Sequence, residues 1–116
     1  MNLAEDSQIK EVKARLIEGM VDFMDEDTEY NQSHVENCDK LLITYLEGAT
    51  EADSKEALMS KVEQTVVALN ELNESVDHEL IETDQREDIC AILIRAGSLK
   101  GFNGENEDIT EDWRDW

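Results

Sequence analysis

Apolar residues recur along most of this chain at the spacing of one helix face. Ile9, Val12, Leu16, Met20 and Phe23 step by three and four, with Ile17, Val21 and Met24 widening the stripe, which predicts a helix over about residues 4–25. Val35, Cys38, Leu42, Tyr45 and Ala49, flanked by Leu41 and Leu46, predict a second over about 34–48. Ser33 with Glu36 is spaced as a capping box to open it, and Gly48 is placed to close it. Leu58, Val62, Thr65, Leu69, Leu72 and Val76, broadened by Val66 and Val67, predict a third over about 54–75, with Asp53 and Glu56 spaced to cap it.

Ile89-Cys90-Ala91-Ile92-Leu93-Ile94-Arg95-Ala96 differs from these, because apolar residues fill nearly every position. As a helix it would be apolar almost all round, the pattern of an element on which others pack. A central strand has the same local look, and the flanks arbitrate. Asp84 with Glu87 can satisfy free N–H groups at a helix start, and Gly97 stands where a left-handed C-cap favours a residue without Cβ. The helix is placed over about 84–96, with Leu80 and Ile81 plugging the bundle end just before it. Four amphipathic helices with short connections predict an all-α fold, an antiparallel four-helix bundle, in a single domain of 116 residues.

After Gly97 the pattern breaks. Ser98 to Gly104 reads as a loop, and the tail 105–116 is acidic yet carries both tryptophans. Ile109, Trp113 and Trp116 step by four and three, which predicts a short acidic and aromatic helical turn. Such a turn either folds back to cap the bundle or offers the two rings as anchors to a partner.

Composition adds one strong fact. Thirty Asp and Glu oppose ten Lys and Arg, a net charge of −20. Self-repulsion of that size works against the compact state, and the apolar stripes argue against disorder as its explanation. Nucleic-acid backbone and anionic membrane would be repelled; a basic protein surface would be attracted. Residues 1–53 hold fourteen acids and four bases, and the densest acidic run, Asp22 to Glu29, lies where the first two helices meet. The expected contact set is Asp22, Asp25, Glu26, Asp27 and Glu29, with Trp113 and Trp116 as anchors. No signal peptide or membrane span is expected, and two cysteines without metal spacing, Cys38 and Cys90, suit buried thiols in the cytoplasm, although a bridge between two bundle helices is also open.

Catalytic and metal patterns each fail at a named residue. Asp25, Asp27, Glu29, Asn31, Ser33 and Glu36 follow a calcium-loop register, but Tyr30 stands where the sharp turn wants Gly and Gln32 where an apolar residue belongs. Neither His34 nor His78 has a Glu three positions before it, as a di-metal bundle would require. Glu71, Glu74, Asp84 and Glu87 resemble the magnesium-binding carboxylates of helical nucleotide pyrophosphohydrolases, though a turn interrupts their spacing. No phosphate loop, nucleophile elbow or Cys/His couple is present. No cofactor and no catalytic activity are expected.

Thr83-Asp84-Gln85-Arg86-Glu87-Asp88-Ile89-Cys90 and the ending Glu107 to Trp116 look like segments of small acidic bacterial proteins. In general character the chain is similar to the immunity proteins that neutralise toxic nucleases. That resemblance implies a cytoplasmic, stoichiometric inhibitor that binds a cognate toxin domain. Two other readings stand beside it: a DNA-like charge array that blocks a nucleic-acid-binding protein, and a small metal-dependent helical hydrolase or metal-binding module.

Overall fold

A computed structural model describes residues 2–116 and contains, among them, four α-helices and no strand. A 3-10 turn, Leu3–Glu5, precedes α1 (Ser7–Phe23); α2 (Gln32–Glu51), α3 (Lys55–Ser75) and α4 (Thr83–Leu99) follow. The chain goes up and down. Asp6 at the start of α1 pairs with Arg95 near the end of α4, while Arg15 further along α1 pairs with Asp88 near the start of α4. Tyr45 reaches diagonally from α2, its hydroxyl donating to the Leu93 carbonyl oxygen at 2.9 Å.

The apolar stripes meet in one core. Ile9, Leu16 and Met20 of α1, Leu42, Tyr45 and Leu46 of α2, Leu58, Val62 and Leu69 of α3, and Ile89, Ile92 and Leu93 of α4 are all buried. Removing this area from water supplies the main force for association of the helices, at about 25 cal/mol per Å². Leu80 and Ile81 close one end of the core. The stripe on α1 is narrower than its spacing suggests: Phe23 is 62% exposed, and Val21 is exposed too, because α1 stops at the rim of the bundle. Val67 likewise faces outward from α3.

Helix ends depart from the expected caps, each time because a nearby group competes better. Asn31, not Ser33, caps α2: its side chain accepts from the Ser33 N–H, and His34 Nδ1 accepts from the Asn31 N–H in return. Ser54, not Asp53, caps α3 by accepting from the Ala57 N–H. α4 begins after Glu82, whose N–H is accepted by Gln85 Oε1, rather than at the Asp84 and Glu87 pair. Gly48 and Gly97 do not terminate their helices; both sit inside them where another chain segment passes close. A Cβ on Gly97 would stand 2.8 Å from Leu58 of α3 and 1.8 Å from Asn103 Oδ1. The stop after α4 comes four residues later, at Gly101, with φ of 78°. There the Phe102 N–H bonds to the Gly97 carbonyl oxygen and the Gly101 N–H to that of Ser98, the paired bonds of a Schellman motif.

The tail is the fifth layer of the fold. Close helix pairings join α1 to α4 and α2 to α3, and α3 with α4 is not among them. The tail runs along that looser seam. Asn103 Nδ2 donates to the Ile94 carbonyl oxygen of α4, Lys55 of α3 pairs with Glu107, and Ile109 and Thr110 are buried. The expected helical turn is present only as successive turns, with the Arg114 N–H closing on the Thr110 carbonyl oxygen.

Candidate functional site: an unpaired acidic bundle end

Two connections share one end of the bundle, α1 to α2 and α3 to α4. The Glu29 N–H donates to Glu79 Oε1 at 3.3 Å, which ties them together. Residues 20–36 and 71–87, the segments that make this end, hold thirteen Asp and Glu against one Arg, Arg86, a net of −12 out of −20. Asp22, Asp25, Glu26, Asp27 and Glu29 are all exposed. Among the described residues the ion pairs engage Glu5, Asp6, Asp39, Asp88, Glu107 and Asp108, and none uses a carboxylate of this end. The charges elsewhere are partly neutralised; these are not.

The acidic connection is ordered from within. Asp25 Oδ1 accepts from the N–H groups of Asp27 and Thr28 at 2.8 and 3.1 Å, and Thr28 Oγ1 donates toward the carbonyl oxygens of Asp25 and Tyr30. Tyr30 anchors the loop to α1, its buried hydroxyl donating to the Met20 carbonyl oxygen at 2.6 Å. Burial pushes the Tyr30 phenol above its ordinary value, and the negative charges of Asp25, Glu79 and Glu82 push it further. The phenol therefore senses both connections.

Opposite this loop the end of α3 is strained. Asp77 and His78 have φ of 57° and 61°, left-handed values that cost an L-residue roughly 1–2 kcal/mol each. Their N–H groups bond to the carbonyl oxygens of Glu74 and Asn73, and the buried Asn73 side chain accepts from the Ile81 N–H at 2.9 Å. The turn holds Asp77 and His78 outward.

Trp113 and Trp116 lie elsewhere, half-buried along the α3–α4 seam and packed against the core. Arg114 secures this part of the tail: its Nη1 reaches Cys90 Sγ at 3.2 Å, Thr110 Oγ1 at 3.1 Å and Asp108 Oδ2 at 3.0 Å. Its guanidinium also lies 5.7 Å from the centroid of the Trp116 ring. The Trp116 Nε1 is buried with no hydrogen-bond partner among the described residues. The two parts of the expected contact set are thus held by different elements, the acids by the α1–α2 connection and the rings by the tail.

Other candidate chemistry stays dispersed. Among the described residues no three His, Cys, Asp or Glu side chains gather as a metal-binding group, and this covers the Asp25 to Glu36 register and the Glu71, Glu74, Asp84 and Glu87 set. Cys38 is buried on α2 and its thiol is pushed up to about 12 by burial and by Asp39. Cys90 is half-buried and both thiols are free. No described helix is long and apolar enough to cross a membrane. Compared with models of known families, with curated proteins and with solved structures, the chain matches none.

Proposed function

We propose that this protein is a non-catalytic binding protein whose acidic bundle end docks a basic protein surface and blocks it, in the manner of an immunity protein that neutralises a toxin nuclease. The observation that carries this reading is the concentration of unpaired charge: a net of −12 on the two segments of one end, with no ion pair to offset it among the described residues. Holding so many like charges together opposes folding, and a cationic partner removes that cost on binding. Order within the loop supports the same reading. Asp25 and Tyr30 fix the backbone that carries Glu26, Asp27 and Glu29, so less freedom is lost on docking.

The test is capture and inhibition with the full chain. Immobilised protein is exposed at low salt to extract from its source cell, beside a variant with Asp25, Glu26 and Asp27 replaced by Lys. The expected result is a basic protein retained by the native chain alone, released as salt rises, whose nuclease activity falls in proportion to added native chain. An acidic partner, or binding that strengthens with salt, overturns the reading.

A further inference from the structure

Beside the acidic loop, α1 and α4 leave a cleft of about 270 Å³, lined by Arg15, Phe23, Asp84, Glu87 and Asp88, with Gly19 and Gln85 between them. It is smaller than the pockets that hold whole small-molecule ligands, and its size suits one side chain. Asp88 is occupied, gripped by Arg15 with Nη2 to Oδ1 at 2.6 Å and Nε to the same oxygen at 3.2 Å. Asp84 and Glu87 are exposed and enter no ion pair among the described residues. Phe23, 62% exposed, is the largest apolar side chain left uncovered among the described residues.

The Gln85 amide is incompletely used. Gln85 is only 3% exposed, and its Oε1 accepts from the Glu82 N–H. That bond turns Nε2 the other way, toward Gly19, where a Cβ would stand 3.3 Å from it. Nε2 donates to no group among the described residues. Glycine inside a helix is costly relative to alanine, and here the missing Cβ lets this amide pack against α1.

We propose, resting on the docking reading above, that this cleft seats one arginine side chain of the basic partner. A planar guanidinium can meet two carboxylates at once and lie against an aromatic face, and a lysine ammonium matches that geometry less well. Asp84 and Glu87 take the cation and Phe23 flanks it. The Gln85 amide lies beneath the cation and senses its arrival without bonding to it. Arg15 on Asp88 shows the same pairing within the chain, and the cleft keeps a net negative charge after it.

The probes are octa-arginine and octa-lysine peptides, titrated into the full chain at low salt by calorimetry and by NMR of the Gln85 amide and Phe23 ring. Octa-arginine is expected to bind about tenfold more tightly, a difference of about 1.4 kcal/mol, and to shift both signals. The Asp84→Asn, Glu87→Gln double variant should erase that preference, whereas Asp25→Asn with Asp27→Asn should weaken both peptides alike. Thermal melts check that each variant folds, and the native chain's NMR response stands without any variant. Equal binding of the two peptides, with salt-sensitive affinity, overturns the cleft and leaves the docking reading standing. Absence of binding by either peptide overturns both.

Discussion

Asn70 of α3 holds the tail through Trp113: its Nδ2 donates to the Trp113 carbonyl oxygen at 2.7 Å. The other atom of the same amide, Oδ1, accepts from the Asp115 N–H at 3.2 Å. One half-buried side chain thus satisfies two backbone groups of a segment that has no helix or strand of its own. Asn70→Ala removes both bonds and should lower stability by about 1–3 kcal/mol. The emission of the tail tryptophans should shift to the red as the rings gain water. An unchanged melting temperature with unchanged emission would mean that Ile109 and the Arg114 contacts hold the tail without it.

Asp77 carries the left-handed position at the end of α3, where helices most often place glycine. Asp77→Gly relieves the Cβ strain while adding freedom to the unfolded chain, and it removes one charge from the crowded end. A gain of about 1 kcal/mol is expected by thermal or urea unfolding. A loss would show that the Asp77 side chain contributes more than its backbone strain costs. If that residue belongs to the docking face, the same variant should weaken partner binding while the free protein becomes more stable.

How much of this was legible in the sequence varies by level. Periodicity of 3.6 residues marks each helix wherever one face is buried, so the four stripes predict the four helices and the antiparallel bundle. Exact ends were less legible, since Asn31 and Ser33, or Asp53 and Ser54, compete for one cap and only local backbone geometry selects between them. Gly97 and Gly101 read alike in sequence; the close passage of Leu58 and Asn103 keeps Gly97 inside the helix. The run Asp22 to Glu29 stands out along the chain, but its convergence with residues 71–87 depends on which helices are neighbours. Phe23 fits the α1 stripe by spacing and lies outside the core because the helix ends there. The α3–α4 seam had no signal, for a stripe reports that a face is buried and not what buries it.

Asp6 joins the first and last helices: it caps α1 by accepting from the Ile9 N–H and grips Arg95 of α4 at 2.7 Å. The Arg95 bond, opposed by partial burial and aided by the helix-start N–H groups, holds the Asp6 carboxyl below its ordinary 3.8. A depressed folded value means that the unfolded chain takes the proton first as pH falls. The stabilisation is therefore complete well above pH 3.8 and is lost as pH drops through that value and the lower folded one. Asp6→Asn should be less stable than the native chain at neutral pH, and the two unfolding curves should converge in acid. A gap that stays constant between pH 7 and pH 2 would assign the loss to packing rather than to charge.

Tyr30 offers a direct reading of the field at the acidic end. The chain has two tyrosines, and both are pushed above the ordinary 10.0, Tyr45 by burial alone and the further of the two. Tyr30 is raised first by burial and then by Asp25, Glu79 and Glu82. Ultraviolet titration should show two separate phenol steps, with Tyr30 the lower. Salt screens charges near the surface and leaves burial untouched, so added salt should move the Tyr30 step down and the Tyr45 step little. Glu79→Gln with Glu82→Gln should act on Tyr30 in the same direction at low salt and make it less sensitive to salt. A basic partner seated on this end would also lower the Tyr30 value, by supplying positive charge where three carboxylates now repel the phenolate. A Tyr30 step that ignores salt, variants and a bound cationic peptide alike would show that the carboxylates at this end do not act together as one field, and the electrostatic basis for docking would go with it.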